Sequence, residues 1–147
     1  MKTIDFWTPK GKYGFLSNFY HAPTVMNGVT YPTNEHFFQS QKFAGKPQEQ
    51  YIIALPTPGD TAREGKRRDF PLRSDWEQVK EEIMLQGLIA KFEQHPELLK
   101  RLMETKESSL RETSPYDSYW GTGRNLKGKN RLGVLLEKVR DEILVNK

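Results

Sequence analysis

Thr24-Val25-Met26-Asn27-Gly28-Val29-Thr30-Tyr31-Pro32-Thr33-Asn34-Glu35-His36-Phe37-Phe38-Gln39 runs from strand through turn and strand into the start of a helix. Asn27-Gly28 between two β-prone triplets is a strong hairpin signal, because both residues tolerate the positive φ of a type I′ turn. Pro32 stops strand pairing. Thr33 or Asn34 then supplies an N-cap, and a helix is expected to run to Lys42 or Phe43, ended by Gly45 and Pro47. Outward from there the chain is mostly helical. A short helix fits Pro47 to Leu55, and another opens at Thr57-Pro58 toward Arg67, with Pro in the first helical position. Ser74-Asp75-Trp76-Glu77 has the form of a capping box. Behind it Trp76, Val79, Ile83, Met84, Leu88 and Phe92 recur at helical spacing and stop before Pro96. A shorter helix follows from His95-Pro96 to Met103. Residues 105–130 read as a long loop, with short strands or turns and enough aromatic residues to be ordered. Leu132, Leu135, Leu136, Val139 and Ile143 mark a last amphipathic helix with Asn130 as its cap. The expected architecture is α+β: one mostly helical domain over residues 1–147 with a small antiparallel sheet or hairpin.

Composition narrows the chemistry. The 147 residues include no cysteine, which excludes disulfides, thiol nucleophiles and cysteine-based zinc sites. His21, His36 and His95 lie far apart and match no metal-binding spacing, so no metal is expected. A net charge of +4 is a mild basic excess that suits anionic ligands without announcing a nucleic-acid binder. No apolar run approaches the roughly 18 residues of a membrane span, and the N-terminal residues lack a secretory apolar core. A soluble, cytoplasmic protein is the expectation.

Three stretches can carry chemistry. On a helix, seven residues advance about 700°, nearly two turns, so Glu35, Gln39 and Lys42 share one face. A carboxylate and an amine on one stripe can hold a polar ligand and move protons at two points on it. The alternative is a solvated face backed by Phe37, Phe38 and Phe43. The second stretch is the glycine-rich run Asp117 to Gly133. Gly121, Gly123 and Gly128 permit tight turns and close approach, and the run leads into a helix N-terminus that favours an anion. Arg124, Lys127, Lys129 and Arg131 add positive charge, and Trp120 offers a stacking surface. It is no P-loop, because Asn130 stands where Ser or Thr would be required. A glycine-rich turn with solvated lysines and a core tryptophan is the competing reading. The third is Lys66-Arg67-Arg68 with Arg73, either solvated or a phosphate receiver.

Leu16-Ser17-Asn18-Phe19, Glu35-His36-Phe37-Phe38-Gln39 with Gln41-Lys42-Phe43, Asp75-Trp76 and Lys91-Phe92 appear in that order. Asp117 with Trp120-Gly121-Thr122-Gly123 and Gly128-Lys129-Asn130-Arg131-Leu132-Gly133 follow. In this set and order the chain resembles the NADAR family, whose bacterial members are YbiA-like N-glycosidases. The resemblance implies hydrolysis of a C–N glycosidic bond without a cofactor. The implied substrate is a ribosylaminopyrimidine phosphate, an early intermediate of riboflavin synthesis. ADP-ribosylated guanine, with nucleic acid entering only as a modified substrate, and a non-catalytic ADP-ribose or nucleotide reader are the alternatives. Carried over by motif, Glu35, Lys42 and Asp117 would be catalytic. Asn18, Phe19, Gln39, Arg68, Trp76, Trp120, Gly121, Arg124 and Asn130 would bind substrate. Glu35 would act on the sugar side; Lys42 would donate a proton to the base, bind phosphate, or attack C1 as an amine. Two positions depart from the family pattern: Phe37 replaces a common Tyr, and Lys66 a common Arg, which keeps the charge but loses a bidentate fork.

Overall fold

The computed structural model describes residues Lys2–Asn146. In chain order the elements are β1 (Thr3–Phe6), a 3₁₀ turn (Gly14–Leu16), β2 (Thr24–Met26), β3 (Val29–Tyr31), α1 (Asn34–Gln41), α2 (Pro47–Ile53), α3 (Pro58–Glu64), α4 (Trp76–Gln94), α5 (Pro96–Glu104), β4 (Ser109–Glu112) and α6 (Arg131–Lys138), which continues into a π-helical turn at Val139–Ile143. The result is α+β and helix-rich, with two separate two-stranded sheets among the described residues. The chain packs as two compact units: His21–Lys91, and the residues up to Tyr20 together with those from Phe92 onward. No described helix is long and apolar enough to cross a membrane.

In the His21–Lys91 unit, the hairpin forms as its turn dictates. Asn27 and Gly28 sit at φ +53° and +79°, and the register pairs Thr24 with Tyr31, Val25 with Thr30 and Met26 with Val29. Thr33 caps α1, its hydroxyl oxygen accepting the His36 N–H at 3.2 Å. His36 Nε2 lies 2.9 Å from the Leu55 carbonyl, which can only accept, so Nε2 carries the proton and Nδ1 accepts from the Thr33 hydroxyl at 2.8 Å. This neutral imidazole ties the start of α1 to the chain leaving α2. Phe37 meets the Tyr31 ring edge-on at 5.1 Å, and Phe38 lies 5.1 Å from the Trp76 ring of α4. Gly87 of α4 admits Asn34, because a Cβ there would fall 2.1 Å from Asn34 Oδ1. Every residue of α1 from Asn34 to Ser40 is buried.

The α4 start differs from the capping-box expectation. The helix begins at Trp76, with the Asp75 carbonyl accepting from Val79 N–H at 3.1 Å. Glu77, the acid of the expected box, pairs instead with Lys80 at 2.7 Å, and Asp75 pairs with Arg73 at 2.6 Å.

The other unit corrects the antiparallel expectation in part. The hairpin is antiparallel, but β1 and β4 pair in parallel, with Thr3 opposite Ser109 and Phe6 opposite Glu112. A parallel pair needs a long crossover, and no local turn signal announces it. The outer edge of β4 is closed by side chains from the region of α6. Asn130 Oδ1 accepts the Glu112 N–H at 2.9 Å, its Nδ2 donates to the Leu110 carbonyl at 2.9 Å, and Glu137 Oε2 accepts the Leu110 N–H at 2.8 Å. Gly133 allows this approach, since a Cβ there would fall 1.9 Å from the Leu110 carbonyl oxygen. Asn130 occupies the cap position at φ +51° but makes no side-chain cap bond. Both ends of its side chain are engaged by β4, so at the expected cap position it also serves as a strand clamp. Buried Arg140, in the π-helical turn, donates to the Thr105 hydroxyl at 3.1 Å and the Ser108 carbonyl at 2.8 Å.

Two predictions follow from this packing. Asn130→Ala strands a strand N–H and a carbonyl and puts Ala at positive φ, so denaturant unfolding should show a loss of about 2–4 kcal/mol. A loss within about 0.5 kcal/mol, the ordinary surface range, contradicts the clamp. Burial pushes the His36 pKa below its ordinary 6.5, with the Leu55 carbonyl opposing less strongly. Above pH 6.5 this group contributes its full stability. As the pH falls through 6.5 toward the lower folded value, the unfolded chain takes the proton first and the native state loses ground. Denaturant midpoints of wild type and His36→Gln, followed downward from pH 8, should show a steeper acid loss in wild type; parallel curves contradict it.

Candidate active site

The polar stripe of α1 faces inward. Glu35 is 8% exposed and Gln39 6%, so this is no solvated face. One helical turn separates them, and Gln39 Nε2 donates to Glu35 Oε2 at 2.7 Å, a short bond of the charge-assisted kind. Lys42 follows at the C-cap of α1. Its Nζ donates to the Gly65 carbonyl at 3.2 Å and stands 5.9 Å from the Trp76 ring centroid. Burial pulls the Lys42 pKa below its ordinary 10.5. Glu35 pulls it back up, Lys66 lowers it further, and Glu77 and Lys80 make smaller opposed contributions.

Lys42 opens onto a cavity of about 560 Å³ whose walls include Gly65, Lys66, Arg68, Phe70 and Trp76. That volume suits a small ligand. Of the four cations in this region, Arg67 is held by Asp69 at 2.6 Å and Glu64 at 3.1 Å, and Arg73 by Asp75 and the Gln41 carbonyl. Lys66 and Arg68 form no ion pair among the described residues and line the cavity. Phe70 carries the Arg67 guanidinium 4.3 Å above its ring and meets Phe43 edge-on at 5.5 Å. Of the sequence-based candidates, Glu35, Gln39, Lys42, Arg68 and Trp76 thus belong to this unit.

The remaining candidates belong to the other unit, and several have internal tasks. Asp117 Oδ1 accepts the N–H groups of Tyr119 at 2.9 Å and Trp120 at 2.8 Å, so this oxygen caps the turn it precedes. The segment then doubles back on itself: Gly128 N–H donates to Thr122, Lys129 to Ser118, Asn130 to Gly121, Arg131 to Tyr119 and Leu132 to Trp120, at 2.7–3.0 Å. The first amides of α6 are therefore taken by backbone carbonyls, which corrects the expectation that they receive an anion. Gly121 and Gly128 serve the same fold-back; a Cβ on Gly121 would lie 2.0 Å from Glu112 Oε2, and one on Gly128 2.6 Å from the Gly121 carbonyl. The Trp120 indole stands half-buried, edge-on to Tyr119 at 4.9 Å. Arg124 is exposed, without an ion pair among the described residues. Asn18 is buried and Phe19 half-buried, the Phe19 N–H donating to Ser17 Oγ at 3.0 Å.

Two features escaped the sequence reading. Gly65 packs against Gln39, with a Cβ at 65 falling 2.1 Å from Gln39 Oε1; nothing in a Gly-Lys dipeptide signals that contact. Lys91 is wholly buried, and burial brings its amine down to about 7. Its spacing from Leu88 and Met84 places it on the apolar stripe of α4, a signal that was available. Among the described residues no group of three or more His, Asp or Glu could hold a metal ion.

Comparison with known proteins bears on what this arrangement is for. The model of the NADAR domain matches residues 5–144. The N-glycosidase YbiA of Escherichia coli is 44% identical over 144 residues, spanning 98% of this chain and 90% of the relative. The chloroplastic riboflavin biosynthesis protein PYRR of Zea mays is 38% identical over 156 residues, 96% of this chain but 25% of that longer protein. The NMR structure of E. coli YbiA superposes with a TM-score of 0.89 at 43% identity, covering 98% of this chain and 86% of that one. With its length, its motifs and its fold all matched, this chain belongs to the NADAR domain family.

Proposed function

We propose that this protein is an N-glycosidase that hydrolyses the C–N bond joining C1 of a phosphorylated ribose to an amino-substituted pyrimidine. The observation that carries the reading is a buried carboxylate, Glu35, on the same helical stripe as an amine, Lys42, whose pKa burial has lowered. The names of the relatives, N-glycosidase and riboflavin biosynthesis protein, support the reaction class and the kind of substrate.

An N-ribosylamine is in equilibrium with its ring-opened imine, and C1 of that imine is electrophilic. The Lys42 amine adds to C1. The bond from C1 to the pyrimidine nitrogen breaks with its electron pair staying on nitrogen, and Glu35 relays to that nitrogen the two protons the amine gives up, one as it adds and one as the Schiff base forms. This leaves a Schiff base between C1 and Nζ. Glu35 then passes the two protons of the attacking water to Nζ, one as the hydroxyl adds to C1 and one as the carbonyl forms, and Nζ departs as the free amine with Glu35 again a carboxylate. One water is consumed; a ribose phosphate and a free aminopyrimidine are released. The lowered pKa of Lys42 raises the fraction of its nucleophilic form at neutral pH. Lys66 and Arg68 supply charge for the phosphate, and Trp76 and Phe70 supply flat apolar walls.

Glu35→Gln keeps the volume and removes the charge, so turnover of a ribosylaminopyrimidine phosphate should fall by about 10²- to 10⁴-fold with ligand binding retained. A wild-type rate in this variant contradicts the assignment. Borohydride added during turnover should fix a ribose phosphate on Lys42, visible as a mass increase in the peptide containing it. Unmodified Lys42 in an enzyme that is turning over removes the Schiff-base step. ADP-ribosylated guanine, offered in parallel, is expected to be the poorer substrate; its preferred cleavage would reassign the leaving group.

A further inference from the structure

We propose that Gly65 is a positioning residue: its missing side chain lets the Gln39 amide lie where it holds Glu35, while its carbonyl holds Lys42. This rests on the reaction assigned above. Gly65 has φ −66° and ψ −15°, a right-handed conformation open to any residue, so glycine is not required by the backbone. The requirement is space. A Cβ at 65 would lie 2.1 Å from Gln39 Oε1 and 2.8 Å from Gln39 Cδ, distances no real contact sustains.

Gln39 has little room to withdraw, being 6% exposed. Its Oε1 accepts no hydrogen bond from the described residues, so what locates this amide is the surface of Gly65 at one end and the 2.7 Å bond to Glu35 at the other. Pushing on the first end breaks the second. Gly65 itself is anchored, its N–H donating at 2.8 Å to the carbonyl of wholly buried Thr61. The Gly65 carbonyl accepts Lys42 Nζ at 3.2 Å. One residue therefore sets the separation of carboxylate and amine, and the phosphate-side cation Lys66 follows it directly in the chain.

The test is a double-mutant cycle of wild type, Gly65→Ala, Gln39→Ala and the double variant, assayed on a ribosylaminopyrimidine phosphate. Displacing a reacting group by about 1 Å can cost about 10²-fold, so Gly65→Ala should lower kcat about 10- to 100-fold with KM near wild type, and the overpacking should lower the melting temperature by several degrees without unfolding the protein at assay temperature. Once Gln39 is removed, the added methyl meets only the Thr61 carbonyl oxygen, at 3.0 Å, so most of the Gly65→Ala loss should vanish and the double variant should turn over close to Gln39→Ala. A wild-type kcat in Gly65→Ala, or its full loss repeated in the Gln39→Ala background, overturns the proposal. Should Gly65→Ala unfold, Gln39→Asn carries the test: it shortens the reach to Glu35, so kcat should fall with KM held, and an unchanged kcat overturns it. Glu35→Gln separates the two levels. If that variant turns over normally, the reaction assignment fails; if it is inactive while Gly65→Ala is normal, only the positioning role fails.

Discussion

A carboxylate drawn out of water must be met by donors, and the Gln39–Glu35 hydrogen bond is one place where this chain meets that need. The bond constrains much of the His21–Lys91 unit. For the stripe to point inward, the opposite flank of α1 must be held as well. Phe37 against Tyr31, Phe38 against Trp76, and Asn34 seated at Gly87 prevent the helix from rolling, while neutral His36 fixes its first turn. The apolar contacts that stabilise the fold also keep Glu35 buried, while Lys42 at the end of the helix reaches the cavity wall.

Much of this was legible because its causes are local. A type I′ turn at Asn27-Gly28, a Thr33 cap and prolines in first helical turns depend on neighbouring residues, and all appear in the structure. The spacing of Glu35, Gln39 and Lys42 put them on one face correctly. What spacing cannot say is what covers that face, so a solvated stripe and a buried one look alike in sequence. Partners distant in the chain decided the rest. The parallel pairing of β1 with β4, the contact of Gly65 with Gln39 and the clamp from Asn130 to β4 all join residues far apart in sequence. The Ser74 box failed locally: Lys80, one turn on, takes Glu77, and α4 begins at Trp76.

The glycine-rich segment shows how one physical property can serve either of two ends. Glycines that would let a ligand approach the backbone here let the backbone approach itself, and the Arg131 and Leu132 amides at the start of α6 are satisfied by the carbonyls of Tyr119 and Trp120. Asp117 and Asn130 hold that fold-back in shape through bonds to main-chain groups. Positive charge without a carboxylate partner among the described residues occurs both in that segment, at Arg124, and on the cavity wall, at Lys66 and Arg68. What sets Lys66 and Arg68 apart is that they line the cavity onto which Lys42 opens, and the proposed reading puts the phosphate there for that reason.

The most direct measurement is a crystal structure of an inactive variant, Lys42→Ala, soaked with a ribosylaminopyrimidine phosphate. The account places the phosphate between Lys66 and Arg68, the sugar C1 facing Glu35 and the space vacated at residue 42, and the pyrimidine against Trp76 or Phe70. A ligand whose phosphate is held by the amides opening α6, with C1 remote from Glu35, would contradict it.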